Sequence, residues 1–401
     1  MSSIETNGFG FEHIEDLEDQ VGRQDVVLFG GGSGTASVAP EFIEAMPDAR
    51  FTIVTGTADS GGATGRLRQA FDTPAVGDSR RIMTALSRNP AGEIFERRFG
   101  DEGEQELDAA IADMREVSQG FGPQQREAVG RTLDGIRKLL MPRLIEFEAG
   151  LGRDGYKGQS FGNIYTTQRL MEGRGLADAI GSVSRDLDVD SRVNVVPVSE
   201  DRHHLVMLDG KNVYYEEGRI DDMELEEPHN AQVGVYHVEA GRTVQAYRAA
   251  SEAIATADTI VVMPGSLYTS IGASASVPGI KQAFAANKEH DGRLVTIANM
   301  TVDRDTRGME LAEYIAKQGH LLGRVVDLTL VNEVTEGLPE GKVPFSYDAS
   351  QMPDMRVVTA ALADVAGAES ADPNDAIAHL RSQVKTNGAV AARVIRERLL
   401  A

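Results

Sequence analysis

The chain has 401 residues, of which 41% are hydrophobic, and it carries a formal net charge of −22 at pH 7. This length allows one large or two ordinary domains, and this charge argues against nucleic acid or an anionic membrane as a partner. The sequence contains no cysteine, which excludes disulfides, cysteine nucleophiles and thiolate metal sites.

The N-terminal residues 1–22 are acidic and lack the apolar segment of a signal peptide, so we expect them to form a polar leader. No apolar run in the sequence approaches the roughly 20 residues that a membrane-spanning helix needs. These features predict a soluble cytoplasmic protein without membrane insertion.

The first strong motif is VVLFGGGSG, residues 26–34. Its apolar, β-favouring start predicts a buried parallel strand that ends in a glycine turn, followed by a helix over 35–46. A strand, a glycine turn and a helix N-terminus together offer free amides and a positive helix dipole, which suits a phosphate. The alternative is that the glycines serve only a tight turn. The candidate phosphate-binding residues are Gly30, Gly31, Gly32, Ser33 and Gly34.

A second glycine-rich stretch, GTADSGGATGRLR at 56–68, follows the short apolar strand 51–55. Its glycines predict a loop that approaches a ligand closely, with one carboxylate and two arginines as partners for that ligand. The stretch lacks the spacing of both an ordinary NAD site and a P-loop. The candidate residues here are Asp59, Ser60, Gly61, Gly62, Arg66 and Arg68.

Two further helix starts carry polar candidates. Gly77 and Asp78 are interpreted as a turn and an N-cap, and the alternative is that Asp78 faces the same cleft as the two glycine loops. In the stretch 158–171, Gly162 and Asn163 open another helix, where Asn163 caps by default or offers its amide to a base or sugar. Between them, residues 91–150 are densely charged with helical periodicity, which predicts a helical insertion of two or three helices.

The second half of the chain returns to strands. A hairpin with an Asp209-Gly210 turn predicts a small antiparallel excursion, and His203 and His204 are a poor metal pair because neighbours on a strand face opposite ways. The strand 259–263 ends in a third loop of ligand type. Its candidate residues are Pro264, Gly265, Ser266 and Ser270.

The alternation of strands and helices over 26–90 and 190–360 predicts one doubly wound α/β unit with a mainly parallel sheet. Residues 374–400 are expected to close the chain as a helix pair around Asn387-Gly388. In open parallel sheets, ligands bind beyond the carboxyl ends of the strands at the topological switch point. The three glycine loops are therefore expected to converge there, in a single α/β nucleotide-binding domain over 23–401.

Five stretches occur in the order GGGSG, TADSGGATGRLR, GDSRRIMTAL, SFGN and ADTIVVMPGSLYTSI. Together they resemble the family of the gluconeogenesis factor YvcK and the 2-phospho-L-lactate transferase CofD. The sequences of the last two stretches are closer to the YvcK branch. The resemblance implies a Rossmann-like fold that binds a nucleotide or nucleotide sugar, with Gly30–Gly34 approaching the phosphates. The YvcK branch binds UDP-sugars and affects carbon metabolism and cell-wall synthesis.

The resemblance leaves two hypotheses. In the first, the protein is a regulator that binds a UDP-sugar and breaks no bond. In the second, it transfers a phospholactyl group to a deazaflavin precursor with Mg²⁺. In that case, Asp59 and Asp78 hold the metal or act in catalysis, arginines such as Arg80 supply cations and Asn163 orients the acceptor.

One departure from the family favours the first hypothesis. The usual DDGG of the family is Asp59-Ser60-Gly61-Gly62 here, so this loop lacks one carboxylate of a magnesium site. An NAD(P)-binding protein is a third, less supported interpretation, because the dinucleotide fingerprint is missing. No cofactor other than this Mg²⁺ is predicted, and a homodimer is expected because two-fold dimers are the commonest oligomers.

Overall fold

The computed structural model describes residues 24–173, 175–216, 220, 229–303, 305–334, 336, 338, 343–346, 356–364 and 384–399. The expected polar leader 1–22 lies outside these residues, as does most of the first half of the expected C-terminal helix pair. The described strands are β1 (Asp25–Gly30), β2 (Arg50–Thr55), β3 (Val193–Pro197), β4 (His203–Asp209), β5 (Asn212–Tyr215), β6 (Gln232–His237), β7 (Thr259–Val262), β8 (Arg293–Ile297), β9 (Leu328–Asn332), β10 (Val357–Ala360), β11 (Ala363–Asp364) and β12 (Lys385–Thr386).

Seven of these strands form one sheet in the order β10-β9-β8-β7-β1-β2-β3, and every neighbouring pair is parallel. The chain starts in the middle with β1, builds outward through β2 and β3, and then returns to place β7 on the other side of β1. The strand order therefore reverses between β1 and β7. The carboxyl ends of these two neighbouring strands mark the topological switch point of the sheet.

The sheet is buried on both faces, as its nearly continuous apolar strands predict. Val26 and Leu28 of β1 belong to one core cluster, whereas Val27 and Phe29 belong to a second cluster on the opposite face. Helices cover both faces, which makes the fold doubly wound. The expected α/β architecture is confirmed, and the seven-stranded sheet is wholly parallel.

The described α-helices are α1 (Gly32–Glu44), α2 (Gly62–Phe71), α3 (Gly77–Ala85), α4 (Ala91–Glu96), α5 (Gly103–Val117), α6 (Pro123–Gly135), α7 (Met141–Gly150), α8 (Phe161–Glu172), α9 (Leu176–Asp186), α10 (Arg248–Thr256), α11 (Ala273–Ala275), α12 (Ile280–Glu289), α13 (Leu311–Leu322) and α14 (Gly388–Leu399). A 3₁₀ turn at Ser118–Gly120 and π-helical turns at Ile136–Leu140 and Leu267–Gly272 complete the helical segments. None of the described helices is both long and apolar enough to cross a membrane.

Two glycine stretches that were expected to be loops are partly helical. The first helix was predicted to begin at Thr35, but α1 begins at Gly32, so the glycines after Gly31 lie in its first turn. The stretch 56–68 was predicted to be a loop, but α2 begins inside it at Gly62. Glycine has poor helix propensity, which is why the sequence pattern hid these two helix starts.

The charged segment 91–150 is helical, as its periodicity predicts. Helices α4 to α7 contribute buried side chains such as Phe95, Met114, Leu133 and Leu144 to the same core cluster that holds Val26. These helices therefore pack as part of the core on one face of the sheet.

The antiparallel excursion is larger than the predicted hairpin. The hairpin of β4 and β5 turns at Asp209-Gly210, and β6 pairs with the other side of β4 to make a three-stranded sheet. The C-terminal prediction was wrong at one point, because Lys385–Thr386 forms the short strand β12 with β11 where a helix was expected. The helix after Gly388 is present as α14.

The loops that follow β1 and β7 touch at the switch point. A Cβ atom on Gly34 would lie 1.8 Å from the carbonyl oxygen of Pro264, a distance that no side chain can occupy. We expect Gly34→Ala to lower the free energy of unfolding by about 2 kcal/mol, because the two loops would have to separate. Urea denaturation measures this change.

Gly130→Ala is the matched control for that substitution. Gly130 lies in the interior of α6, and a Cβ atom there meets nothing within 4 Å. Alanine should raise the free energy of unfolding at this position by about 0.5–1 kcal/mol, through helix propensity alone. Equal stability of the Gly34→Ala variant and the unchanged protein would contradict the loop contact.

Candidate functional site

Three helices begin at the carboxyl ends of β1 and β2, on the side of the switch point. Their N-cap residues are Gly31 for α1, Gly61 for α2 and Val76 for α3, and none of these residues carries a side-chain acceptor. The first turn of a helix presents backbone N–H groups that lack partners within the helix. Together with the helix dipoles, these groups make the edge a suitable place for an anion.

Glycine allows the first loop to contact both the start of α3 and the third loop. A Cβ atom on Gly32 would lie 2.3 Å from Oδ1 of Asp78, and one on Gly31 would lie 2.1 Å from Oγ of Ser270. The structure thus brings these four candidate residues together. Any side chain at the two glycine positions would displace the neighbouring groups.

The second loop reaches the same point from the other side. A Cβ atom on Gly77 would lie 3.1 Å from Oδ2 of Asp59, so this carboxylate lies against the start of α3. A Cβ atom on Gly56 would lie 3.1 Å from Oγ of Ser274 and 3.3 Å from Oδ2 of Asp78. Asp59 and Asp78 therefore lie on neighbouring sides of one small region.

Ser274 is a residue that the sequence reasoning missed. Its hydroxyl is buried and has no hydrogen-bond partner among the described residues. It lies four residues after Ser270, in the helical segment that follows the third loop, and this spacing places both serines on one helix face. The four-residue spacing of the two serines in SIGAS was the sequence feature that could have indicated Ser274.

Asp78 does not cap α3, because the N-cap position belongs to Val76. Its carboxylate accepts a hydrogen bond from the backbone N–H of Gly32, and its pKa is raised to about 7. Burial is the largest cause and the charge of Asp59 is the second, while Arg81, the N–H of Gly32 and Arg80 act in the opposite direction. Of the two interpretations left open, these contacts support the second, in which Asp78 faces the glycine loops.

Arg66, a candidate ligand residue, points away from this region. Its Nε lies 3.0 Å from Oε2 of the buried Glu148 in α7, and its guanidinium also donates to the carbonyl oxygens of Lys157 and Asp154. Its charge is used to hold α2 against the helical segment 91–150.

Arg68 supports the second loop from behind. Its side chain is buried and donates to the carbonyl oxygens of Ala58 at 2.8 Å, Asp59 at 2.7 Å and His203 at 2.5 Å. The backbone around Asp59 is therefore fixed to both α2 and β4. This arrangement gives Arg68 a positioning role that its place in a glycine-rich stretch did not reveal.

Arg80 is also turned inward. Its Nε donates to Oδ1 of Asn163 at 2.9 Å, and its NH1 lies 2.8 Å from Oε1 of Glu96. Gly162 packs on its stem, since a Cβ atom there would lie 2.7 Å from Cδ of Arg80. Asn163 was expected to cap α8, but the cap is Ser160, whose hydroxyl accepts from the N–H of Asn163. Gly162 and Asn163 thus hold α3 in place.

Arg81 is the arginine that reaches the first loop, and the sequence reasoning missed it. Its NH1 donates to Oγ of the exposed Ser33 at 2.5 Å. Neighbouring residues of a helix point about 100° apart, so one arginine of the pair faces the core and the other faces the loop. The sequence GDSRR shows the two adjacent arginines, but it does not show which of them the rotation of α3 turns toward the loop.

The third loop is held by residues that follow β8. Asn299 accepts from the N–H of Gly265 at 2.8 Å and donates to its carbonyl oxygen at 3.0 Å. Ser266 donates to Asp305 and caps the π-helical turn by accepting from the N–H of Thr269 at 3.0 Å. Pro264, Gly265 and Ser266 are therefore braced in contact with α1.

A second carboxylate pair lies behind this loop. Burial, followed by the charge of Asp305, raises the pKa of Asp303 to about 7. Asp303 accepts from Nδ2 of Asn299 at 2.9 Å and from the hydroxyl of Thr306 at 2.7 Å. Asn299, Asp303 and Asp305 all belong to the stretch IANMTVDRD at the end of β8. The spacing of these residues did not indicate that they contact the third loop.

The described residues include no group of three or more histidine, aspartate or glutamate side chains placed to hold a metal ion. His203 and His204 point to opposite faces of β4, and burial lowers the pKa of each to about 4, so both are neutral at pH 7. The carboxylates of Asp59 and Asp78 remain as a pair of like charges at the switch point, and a proton or a divalent cation would reduce their repulsion.

Comparisons with known proteins agree with this architecture. The family model described as 2-phospho-L-lactate transferase CofD matches residues 26–390. The gluconeogenesis factor of Halalkalibacterium halodurans is 30% identical over 314 residues, which cover 77% of this chain and 78% of that protein.

Two crystal structures share the fold. A UPF0052 family member from Bacillus halodurans has a TM-score of 0.67 and 21% identity, covering 93% of this chain and 98% of that chain. A second crystal structure of a Bacillus halodurans protein has a TM-score of 0.65 and 22% identity, covering 93% of this chain and 99% of that one. The Rossmann-like fold expected from the motifs is confirmed by this likeness. Because the family model spans most of the sequence, the chain belongs to the 2-phospho-L-lactate transferase CofD family.

Proposed function

We propose that the protein binds a nucleotide sugar of the UDP-sugar type at the switch point and acts in the cytoplasm as a regulator of central carbon metabolism and cell-wall processes. The observation that carries this proposal is that three helices begin close together at the switch point between β1 and β7. Their N-cap residues are glycine or valine, which leave the first-turn N–H groups without a side-chain acceptor. The name of the Halalkalibacterium halodurans relative, gluconeogenesis factor, supports the metabolic part.

The diphosphate of such a ligand would lie against backbone N–H groups of the first turns of α1, α2 and α3 other than that of Gly32, which donates to Asp78. These donors are fixed before binding, so they cost little reorganisation when the anion arrives. Arg81 adds a cation beside Ser33, at the mouth of the first loop. The hydroxyls of Ser270 and Ser274 are placed to meet polar groups of the ligand, because both lie within the same small region.

A second candidate function is transfer of a phospholactyl group with Mg²⁺, and the Asp59–Asp78 pair favours it. The family loop lacks its second carboxylate here, but Asp78 provides one from α3. These two residues fit a hard divalent cation because they bring two carboxylates to neighbouring sides of one small region. Such an ion would neutralise charge on phosphates during transfer, while Asp59 and Asp78 would hold it in place.

We expect Arg81→Ala to weaken binding of UDP-N-acetylglucosamine about 10-fold or more, because a charge-assisted hydrogen bond to phosphate is lost. Isothermal titration calorimetry measures the change. Arg131→Ala is the matched control, since Arg131 is an exposed arginine of α6 that pairs with Glu127. Unchanged affinity in the Arg81→Ala variant would remove Arg81 from the ligand site.

Asp78→Asn separates the two candidate functions. Without metal, removal of this negative charge should tighten binding of UDP-N-acetylglucosamine roughly 5-fold or more, because carboxylate and phosphate repel each other. For a transferase, the same change should abolish Mg²⁺-dependent binding of GDP, because a metal ligand is lost. Calorimetry with and without Mg²⁺ distinguishes them, and Asp101→Asn, at an exposed acid, is the control.

The pH dependence gives an independent test, because the pKa of Asp78 is raised to about 7. As the pH falls from about 8 to about 6, this carboxyl gains a proton and loses its charge. Metal-free binding of the UDP-sugar should therefore tighten, whereas Mg²⁺-dependent binding should weaken. The diphosphate of a UDP-sugar has no ionisation in this range, so a flat profile in the Asp78→Asn variant would assign the effect to Asp78.

A further inference from the structure

A cavity of about 390 Å³ lies where four segments of the chain meet. They are the connection between α2 and α3, the carboxyl-terminal end of α8, the loop between β3 and β4, and the end of β6 with the turn after it. The volume falls in the range of about 300–1,000 Å³ that is typical of small-molecule sites. The described residues that line this cavity are distinct from the candidate residues at the switch point, so it is a second place at which the chain can hold a ligand.

Three polar side chains of the cavity lining lie close to one another but too far apart for direct hydrogen bonds. Oδ1 of Asp201 lies 3.9 Å from Nε2 of His237 and 3.9 Å from a terminal nitrogen of Arg242. An oxygen atom at about 2.8 Å from both members of either pair can bridge such a distance. The other oxygen of Asp201 accepts from the N–H of Gln245 at 2.7 Å, which holds the carboxylate in this position.

The hydrogen-bond partners of His237 decide what kind of group can bridge it to Asp201. Nδ1 of His237 accepts from the N–H of Glu239 at 2.9 Å, so Nε2 carries the ring proton and donates. The carboxylate of Asp201 accepts. A bridging group must therefore accept one hydrogen bond and donate another, and a hydroxyl group does both.

The charges around the cavity favour a neutral ligand. Arg202 forms an ion pair with Asp72, and Arg242 pairs with Glu239 at 3.2 Å. Both arginines of the described lining therefore already have carboxylate partners. A phosphate group would also meet the negative charge of Asp201, which repels it.

The remainder of the lining is partly apolar. Pro74, Leu170 and Met171 contribute hydrophobic surface beside the polar groups. A sugar ring combines hydroxyl groups around its edge with C–H groups on its faces, so it matches a cavity in which polar and apolar side chains lie next to each other.

We propose that this cavity binds the ring of a neutral sugar. One hydroxyl group of the sugar accepts from Nε2 of His237 and donates to Oδ1 of Asp201, and Arg242 donates to a neighbouring oxygen of the ring. The C–H groups of the ring lie against Leu170 and Met171. The sugar is either free or the sugar part of a larger ligand, and competition with nucleotides distinguishes these two sources.

Saturation-transfer difference NMR of the full chain with glucose, galactose, mannose and N-acetylglucosamine tests the proposal. At least one of these sugars should bind saturably with a dissociation constant of about 1 mM, since a small neutral ligand makes few contacts. Asp201→Asn places an N–H₂ donor where the bridging hydroxyl needs an acceptor, so it should raise the dissociation constant about 10-fold or more. Arg242→Gln, at a side chain that is 58% exposed, should raise it about 3-fold or more without disturbing the fold.

Asp113→Asn and Arg248→Gln are the matched controls. Asp113 pairs with Arg97, and Arg248 pairs with Glu252, both in exposed ion pairs outside the cavity lining. Neither control should change the dissociation constant of the sugar. The melting temperature of each variant separates loss of the site from loss of the fold.

Competition with UDP and UDP-N-acetylglucosamine identifies the source of the sugar. Displacement by UDP-N-acetylglucosamine but not by UDP would mean that the cavity holds the sugar part of the nucleotide sugar. Displacement by neither would mean that a free sugar binds there, and this result stands even if the switch point binds no nucleotide.

Three results would overturn the proposal. The first is the absence of saturable binding for all four sugars. The second is an equal dissociation constant in the unchanged protein and in the Asp201→Asn and Arg242→Gln variants, which would place the bound sugar elsewhere. The third is displacement of the sugar by UDP alone, which would place it at the nucleotide site.

Discussion

The close approach of α1 to the loop after β7 is the constraint on which the rest of the site depends. Because the strand order reverses between β1 and β7, the loops leaving these strands must pass each other at the switch point. Gly34 permits this passage, since any side chain there would meet the carbonyl of Pro264. Once the loops are in contact, Gly31 can reach Ser270 and Gly32 can reach Asp78, and three helix starts face one region.

The charged side chains around this region divide into arginines that hold the fold and carboxylates that lie at the helix starts. Arg66, Arg68 and Arg80 bind protein carbonyls, an amide and carboxylates, so they brace the helices that carry the loops. Asp59 and Asp78 lie at the helix starts instead, and burial, followed by the charge of Asp59, raises the pKa of Asp78. The switch point therefore combines backbone donors with two neighbouring carboxylates, which is an arrangement that responds to protons and cations.

The sequence revealed the elements more readily than their orientation. The strand and glycine loop of VVLFGGGSG were predictable, because an apolar run that stops at glycines has few other structural meanings. Which of Arg80 and Arg81 reaches the first loop was not predictable. It depends on the rotation of α3, in which Arg80 packs against Gly162. The role of Asn163 was missed for a similar reason, because the helix start lies at Ser160.

Contacts between distant parts of the chain were the hardest to foresee. The Asp209-Gly210 turn predicted the hairpin of β4 and β5. The pairing of β6 with β4 was not predictable, because β5 and a further connecting segment separate these strands and no turn motif fixes their register. Asn299 and Asp305 likewise act on a loop more than thirty residues earlier. The two-residue strand β12 is too short for any periodicity to show.

The helix starts at the switch point have a kinetic consequence, because they lie in a protein whose net charge is −22. Far from the surface, an anionic ligand meets a repulsive field, and the N–H groups and Arg81 attract it only at short range. Salt screens charges over about 10 Å at 0.1 M but weakens short hydrogen bonds much less. A phosphorylated ligand would therefore associate faster as ionic strength rises, the reverse of electrostatically steered binding.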